Sequence, residues 1–300
     1  NAIKFTPQHG NISIFYTEDV NRIAIHIKDS GIGISAGKIS KLFNPYPIVY
    51  TYTDKTKLIV EKEMTGATGN IYCGLHEFED MAFLLHFLRP DDLFVDIGAN
   101  VGSYTVLASG QVGAHTIAIE PVPSTFKRLQ NNIAINYLDE LVTSLNIGIG
   151  SKQETLNFTA GLDTVNHVVL ESDGSKVISV IVDTLDRLLI EYHPSLIKID
   201  VEGFESEVLR GATNILNDDK LKAIIIELNG SGRKYGFSDE DIHYKLVSMG
   251  FTAYTYEPFS RILSKGQNMG GGNTLYLRDV HYVLDRIQSS DQIEIFGIKF

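Results

Sequence analysis

The chain has 300 residues, 43% of them hydrophobic, and its 26 basic and 37 acidic side chains give a formal net charge of −11. This length can build one large α/β domain or two smaller domains, and the acidic balance argues against a nucleic-acid backbone or an anionic membrane as the main partner. The single cysteine, Cys73, excludes an intramolecular disulfide and a cysteine zinc site. No apolar run is long enough to span a membrane and no signal peptide is visible, so we expect a cytoplasmic protein.

The first segment, residues 1–45, is predicted to contain a pair of strands. Residues 11–16 and 22–27 alternate apolar and polar side chains, as half-buried strands do, with a turn between them. Two short stretches of this segment resemble the ATPase domain of sensor histidine kinases. Residues 1–7 are similar to the end of the N box, and residues 29–33 are similar to the first glycine box.

That resemblance implies that Asn1 helps to hold magnesium and that Asp29 contacts the adenine amino group of ATP. No second glycine box and no room for an ATP lid follow before residue 50. Half of an ATP site cannot enclose a triphosphate. We therefore interpret residues 1–45 as a vestigial ATPase-like segment.

Residues 46–69 are interpreted as a linker with strand-like stretches at 48–52 and 58–60, and residues 70–300 as the main domain. The main domain is predicted to start with a helix at residues 77–88, where apolar side chains recur at helical spacing. We interpret His76 and His86 as packing or surface residues rather than ligands.

The main domain is organised around residues 93–102. Three apolar residues lead to Asp96, Gly98 and Gly102 follow, and an apolar helical run begins. This pattern predicts a buried parallel strand, a tight turn, and a helix whose N-terminus faces the turn. A ligand can lie against the bare backbone of such a turn, because glycine has no Cβ.

Strands and helices alternate through the rest of the domain. The predicted strands are residues 115–120, 141–146, 196–200 and 222–227, with a closing pair at 251–256 and 274–278. The predicted helices are residues 101–109, 121–135, 205–216 and 238–249. This alternation predicts an α/β fold with a mostly parallel, doubly wound sheet and helices on both faces.

The residues at the ends of the first two parallel strands indicate a cofactor. Glu120 suits a ribose diol, because a carboxylate accepts two hydroxyl hydrogen bonds. Nicotinamide cofactors and S-adenosylmethionine both carry that diol, but a dinucleotide site needs the spacing GxGxxG over its pyrophosphate. Here Asp96 precedes Gly98 and Gly102, and it would repel a pyrophosphate but can pair with the amino group of a methionine moiety. The pattern therefore favours S-adenosylmethionine.

Polar side chains end five predicted strands. These residues are Asp96, Glu120, Asn146, Asp200 and Glu227. Ligands of open α/β sheets bind beyond the carboxyl ends of the strands. We therefore predict that these residues border one site, with Asn146 among the cofactor contacts.

Asp200 is followed by Glu202 and Glu205 near the start of a predicted helix, which leaves three interpretations open. Asp200 and Glu202 can orient an acceptor hydroxyl or take up its proton. Asp200 and Glu227 can share a divalent cation, since hard cations choose oxygen ligands. The acidic residues can also simply cap the helix.

Residues 147–183 lie between two predicted strands and are longer than an ordinary connection. Inserts of this kind commonly carry substrate contacts. His167 lies in this insert and is a candidate catalytic base.

Five segments of the main domain resemble the FkbM family of S-adenosylmethionine-dependent methyltransferases. They are residues 96–102, 118–121, 182–186, 197–205 and 224–228. The resemblance runs in order from about residue 70 to 285. It implies a Rossmann-like class I methyltransferase fold and O-methylation, often of a sugar or a polyketide-type natural product. It also implies cofactor contacts at Asp96, Gly98, Asn100, Gly102 and Glu120.

We therefore expect an S-adenosylmethionine-dependent O-methyltransferase that acts on a hydroxyl of a sugar, a glycan or a natural product. Asp200, Glu202 and His167 are the candidate catalytic residues, and no metal ligand is assigned, although a divalent cation remains compatible with the acidic residues. Two alternatives are a nucleotide-binding signalling module in residues 1–45 and a catalytically silent domain that binds the cofactor.

Overall fold

The computed structural model describes residues 12–19, 22–29, 47–61, 64, 69–71, 73–159, 167–169, 177–266 and 272–300, the first two ranges as backbone only. Strands β1 (Ile12–Asp19) and β2 (Arg22–Asp29) form an antiparallel hairpin. The predicted strand pair is thus confirmed. Asn1 lies outside the described residues, and Asp29 is the last residue of β2.

A second hairpin packs into the main core, so the interpretation of residues 46–69 as a linker is wrong for its two strands. β3 (Ile48–Thr51) pairs with β4 (Lys57–Val60), and both point buried side chains inward. Tyr50 and Leu58 belong to the same hydrophobic cluster as one face of the central sheet. The buried residues of these two short strands pack against the main domain, and this packing holds the hairpin in place.

Helix α1 (Phe78–Phe87) confirms the predicted covering helix, and seven of its ten residues are buried. His86 is fully buried, and its Nδ1 lies 2.5 Å from the hydroxyl of Tyr256. His86 is therefore a packing residue, as expected.

The first half of the central fold follows α1. Its elements are β5 (Leu93–Ile97), α2 (Ser103–Val106, continued as a π-helix by Leu107–Val112), β6 (His115–Ile119), α3 (Pro123–Ile135) and β7 (Val142–Leu145). α2 begins later than predicted, because Gly102 has a φ of 90° and cannot be part of a right-handed helix.

The insert after β7 contains strands that the sequence did not predict. β8 (Gly148–Ile149), β9 (Glu154–Thr159) and β10 (Val177–Asp183) form a small sheet in the order β8-β10-β9. The exposed positions of β10 include the apolar Val177 and Ile181, so its sequence does not alternate between polar and apolar residues.

The second half completes the alternation. Its elements are α4 (Leu185–Leu188), β11 (Leu196–Ile199), α5 (Glu205–Arg210), α6 (Thr213–Leu216), β12 (Ala223–Leu228), α7 (Asp239–Ser248), β13 (Thr252–Glu257), β14 (Ile262–Lys265), β15 (Gly272–Leu277) and α8 (Val280–Gln288). A short hairpin of β16 (Glu294–Ile295) and β17 (Ile298–Lys299) follows. The single helix expected at 205–216 is two helices, and the break falls at Gly211.

The central sheet has eight strands in the order β14-β13-β15-β12-β11-β5-β6-β7. The five strands from β12 to β7 are parallel, whereas β15 runs antiparallel between β12 and β13. Separate hydrophobic clusters cover its two faces. The mostly parallel, doubly wound α/β fold is therefore confirmed. Within the described ranges, no helix combines the length and the apolar character needed to cross a membrane.

We expect Gly211→Ala to destabilise the fold by about 3 kcal/mol through overpacking. A Cβ at Gly211 would lie 2.0 Å from the carbonyl oxygen of Gly150, so two backbones would have to separate. Urea unfolding measures the loss. Gly266→Ala is the matched control, because a Cβ there meets no atom within 4 Å. Equal stability of the two variants would contradict the prediction.

Candidate active site

A cavity of about 370 Å³ lies at the carboxyl ends of β5, β6, β11 and β12. Six of the nine predicted site residues line it: Asp96, Gly98, Asn100, Glu120, Asp200 and Glu202. Glu227, the strand-end residue of β12, lines it as well. Gly102, Asn146 and His167 are not among its lining residues. The carboxyl ends of the parallel strands thus bring together residues from distant parts of the sequence, as open α/β sheets do.

The turn after β5 is formed by backbone that only glycine can supply. Gly98 has a φ of 80°, and a Cβ there would lie 1.8 Å from the carbonyl oxygen of Asp200. The Gly98 and Ala99 N–H groups both donate to the Ile119 carbonyl oxygen at 3.0 Å. The turn is therefore fixed between the ends of β6 and β11, and Gly98 lines the cavity.

Glu120 holds this turn from the end of β6. Its two carboxylate oxygens accept the N–H groups of Asn100, at 3.0 Å, and of Val122, at 2.9 Å. Burial raises the pKa of Glu120 to about 7, although the two hydrogen bonds oppose that rise. Each carboxylate oxygen has two acceptor positions, so Glu120 can also accept hydroxyl groups of a ligand.

Asn146 and Gly102 support the turn from outside the cavity. The Asn146 amide donates to the carbonyl oxygens of Glu120, at 2.8 Å, and of Pro121, at 3.0 Å. A Cβ at Gly102 would lie 2.6 Å from Leu129 Cδ1. For these two residues, a supporting role fits the contacts better than the predicted direct contact with the cofactor. The Asn146 amide is already bonded to backbone carbonyl oxygens, and Gly102 packs against α3.

Asp96 lies on β5 and is 1% exposed. Thr105 on α2 donates its hydroxyl to Asp96 Oδ2 at 2.7 Å. Burial raises the pKa of Asp96, whereas Lys198 and Thr105 act to lower it. Asp96 is thus a buried carboxyl group that favours a positively charged or hydrogen-bond-donating neighbour.

Lys198 is a site residue that the sequence analysis missed. It lies within β11, its side chain is 4% exposed, and its Nζ donates to Asp200 Oδ2 at 2.7 Å. Burial favours the neutral amine, but Asp200, Glu77 and Asp96 raise the pKa of Lys198 above its usual value. A lysine inside an otherwise apolar strand was the available signal, since buried lysines are rare unless they are paired.

Asp200, Glu202 and Glu227 form a cluster whose carboxylate oxygens lie within 4.8 Å of one another. Burial raises the pKa of Glu202 to about 7, and repulsion from Asp200 adds to the rise. Burial and repulsion from Asp200 and Glu202 raise the pKa of Glu227. Such a cluster can hold a divalent cation or bind hydroxyl groups, because carboxylates accept hydrogen bonds and ligate hard cations.

Glu205, not Glu202, closes the turn before α5. Its Oε1 accepts the N–H groups of Gly203, at 3.0 Å, and of Val201, at 3.3 Å. Glu205 therefore holds the turn in front of α5 and does not cap the helix, which has no side-chain cap hydrogen bond. Glu202 has a φ of 56° and lines the cavity instead.

His167 pairs with β9 through its backbone. Its N–H donates to Thr159 Oγ1 at 2.9 Å, and its carbonyl oxygen accepts the Thr159 N–H at 2.9 Å. The neighbouring Val168 bridges to Phe158, whose side chain lines the cavity. The insert thus borders the site with Phe158 and β8, whereas His167 is not among the residues that line the cavity, and its role as the base stays a prediction.

The segment before α1 forms another wall, which the interpretation of His76 as a packing or surface residue overlooked. His76 and Glu77 both line the cavity, and Glu77 accepts the Tyr104 hydroxyl at 2.7 Å. Asn70 is fully buried, accepts the His76 N–H at 3.1 Å and donates to Ser103 Oγ at 3.1 Å. Asn70 therefore ties this wall to the start of α2.

The sequence model of the methyltransferase FkbM domain matches residues 96–253. The chain belongs to the FkbM methyltransferase family. The matched range begins at Asp96 and includes the glycine turn, Glu120, Asp200 and β12, so the resemblance seen in the sequence is confirmed.

Named relatives of this FkbM chain include two curated methyltransferases. Hexuronic acid methyltransferase AglP of Haloferax volcanii is 32% identical over 156 residues, which cover 51% of this chain and 62% of AglP. Methyltransferase 1 of Beauveria bassiana is 30% identical over 168 residues, with coverage of 46% and 66%. The chain therefore spans less than two thirds of each relative. A crystal structure of methyltransferase FkbM from Methylobacillus flagellatus KT aligns with a TM-score of 0.45 and 19% identity, over 63% of this chain and 44% of that chain.

The buried Glu205 gives the stability of the protein a specific pH dependence. Burial raises the pKa of Glu205 from 4.5 to about 7, against the backbone hydrogen bonds that lower it. The folded protein therefore binds this proton more tightly than the unfolded chain does. This contribution to stability is full below the unfolded pKa and is lost as the pH rises to the folded value.

We expect the unfolding free energy of the wild type to fall more than that of Glu205→Gln between about pH 4.5 and about pH 7.5, by on the order of 2 kcal/mol. Urea titrations at the two pH values measure the difference. The exposed Glu191 provides the control variant Glu191→Gln, which should behave as the wild type. Identical pH dependence in all three proteins would refute the assignment.

Proposed function

We propose that this FkbM-family chain is an S-adenosylmethionine-dependent O-methyltransferase whose acceptor is a hydroxyl of a sugar, a glycan or a natural product. The observation that carries the proposal is that the bare turn at Gly98, the carboxylate of Glu120 and the carboxylate of Asp200 all face one cavity. A cavity of about 370 Å³ falls within the range of small-molecule sites.

The residues present fit the cofactor. Glu120 can accept the ribose hydroxyls, and Asp96 can accept the amino group of the methionine moiety. The absence of a Cβ at Gly98 lets the turn pack against the carbonyl oxygen of Asp200, and Gly98 lies in the cavity wall beside Asp96. The buried carboxyl groups of Asp96 and Glu120 have raised pKa values, so a cationic ligand that hydrogen-bonds to them would favour their charged forms.

Asp200 and Glu202 are proposed to act on the acceptor. Bound S-adenosylmethionine supplies an electrophilic methyl group, and the chain must align a hydroxyl with it and exclude water. Asp200 can orient that hydroxyl. Glu202 can take up its proton near neutral pH, because its pKa is about 7.

The substrate class is supported by a relative and by the hydrogen-bond acceptors of the site. AglP acts on a hexuronic acid, and hydroxyl-rich sugars can donate several hydrogen bonds to the carboxylates of the cavity. A nucleic acid is a poor candidate, since the chain carries a net charge of −11.

The proposal is tested with radiolabelled S-adenosylmethionine and a panel of neutral hexosides, hexuronic acids and polyketide alcohols. Label transfer to a hydroxyl of one class supports it. Cofactor binding without transfer to any of them would favour a silent cofactor-binding domain. Parallel calorimetric titrations with ATP test the other alternative, because binding of ATP alone would favour a nucleotide-binding module in residues 1–45.

We expect Glu120→Ala to weaken S-adenosylmethionine binding by about 1–3 kcal/mol, the cost of losing hydrogen bonds to a charged group. Calorimetry measures the change, and far-ultraviolet circular dichroism checks the fold. The control is Glu140→Ala, at an exposed position. Unchanged affinity of the Glu120 variant would contradict the assignment of Glu120 as the ribose contact.

A second possibility for the acidic cluster is a divalent cation shared by Asp200, Glu202 and Glu227. We expect methyl transfer to survive dialysis against EDTA, because Lys198 already supplies a cation to Asp200 at 2.7 Å. The measurement compares turnover after EDTA with turnover after readdition of Mg²⁺, Mn²⁺ or Ca²⁺. Loss on EDTA and recovery with one of these ions would establish the cation instead.

A further inference from the structure

Lys198 lies at a buried position in the middle of the sheet, where lysine is rare. β11 lies between β5 and β12 in the middle of the sheet, and the other three residues of β11 are buried and apolar. Lys198 is the register partner of Asp96 on β5, so the two side chains leave the sheet on the same face as neighbours. Both line the cavity.

The ammonium group of Lys198 has more hydrogen-bonding capacity than the protein uses. A lysine ammonium carries three N–H donors. Asp200 Oδ2 accepts one of them at 2.7 Å, and the ring of Tyr104 lies 4.8 Å from Nζ. In the part of the chain that the structure describes, no further atom accepts a hydrogen bond from Nζ. Buried polar groups normally have hydrogen-bond partners. We therefore expect a ligand in the cavity to accept a hydrogen bond from this ammonium group.

The charge of the cavity identifies what kind of acceptor this is. Glu77, Asp96, Glu120 and the Asp200 cluster make the lining strongly acidic. Among the described lining residues, Lys198 is the single lysine or arginine. An anionic ligand group would be repelled elsewhere in the cavity and attracted at this point.

We infer that Lys198 binds the α-carboxylate of the methionine moiety of S-adenosylmethionine, an inference that rests on the proposed function. The α-amino and α-carboxylate groups of that moiety share one carbon atom, and Asp96 and Lys198 are adjacent side chains of opposite charge. The amino group pairs with Asp96 and the carboxylate with Lys198. The side-chain pair on β5 and β11 thus matches the zwitterionic end of the cofactor.

The test uses two ligands that differ only in this carboxylate: S-adenosylhomocysteine and its decarboxylated analogue, S-adenosyl-3-thiopropylamine. Calorimetry measures both dissociation constants for the wild type, Lys198→Met and Lys198→Arg. The wild type should prefer S-adenosylhomocysteine by about 10- to 100-fold, the effect of a charge-assisted hydrogen bond. Lys198→Met should lose that preference, and Lys198→Arg should keep part of it. Lys222→Met, at a paired lysine on another part of the surface, should match the wild type.

A second measurement needs no variant. In protein labelled with ¹⁵N-lysine, the Lys198 ammonium signal should shift on addition of S-adenosylhomocysteine and shift much less with the decarboxylated analogue. This readout holds even if Lys198→Met fails to fold.

The outcomes separate this inference from the proposed function. If the wild type binds S-adenosylhomocysteine and Lys198→Met keeps the full preference, the carboxylate is bound elsewhere and the inference alone is overturned. Equal loss of both ligands in Lys198→Met also overturns it, because Lys198 then acts on the site as a whole. If the wild type binds neither ligand, the proposed function fails and the inference fails with it.

Discussion

The contact between Gly98 and the carbonyl oxygen of Asp200 is the constraint on which the site depends. A Cβ at Gly98 would lie 1.8 Å from that oxygen, so the turn after β5 and the end of β11 can meet only because residue 98 is glycine. The same turn is held on its other side by the Ile119 carbonyl and the Glu120 carboxylate. Three neighbouring strand ends are therefore fixed relative to one another, and the cavity between them is largely preformed. A preformed site binds a ligand with less loss of conformational entropy.

Several carboxyl groups of the site are buried. Their burial costs free energy when no ligand is bound. Burial raises the pKa of Glu120, Glu202 and Glu205 to about 7, and it raises the pKa of Glu227 as well. Lys198 offsets part of this cost with a permanent positive charge within the sheet. A cationic ligand would offset more of it, because each carboxylate it contacts would be charged at lower pH. Stored electrostatic strain of this kind is common where a protein binds a charged ligand.

The sequence predicted the alternating fold and most of the lining residues, because strand periodicity and glycine positions act locally. Asp96, Gly98, Glu120 and Asp200 follow or end strands, and a parallel sheet brings strand ends together whatever the details of packing. The rest depended on tertiary contacts. The hairpin β3–β4 was interpreted as part of a linker although its strands looked strand-like, since sequence does not show which surface a short strand pair packs against. Lys198 was missed although its partner Asp200 lies only two residues further on, because the burial of β11 on both faces follows from the assembled sheet. Asn146 and His167 were given direct roles that depend on side-chain direction, which residue spacing does not determine.

The position of β15 in the sheet limits where the chain can be truncated. The family match ends at residue 253, yet the strand that lies between β12 and β13 is Gly272–Leu277. A polypeptide trimmed to the matched range would retain β12 without the neighbour that covers its hydrogen-bonding edge. Its apolar residues 224–226 would then border an open edge of the sheet, which is a template for pairing with other chains. We expect this edge to be a site of aggregation in such a fragment.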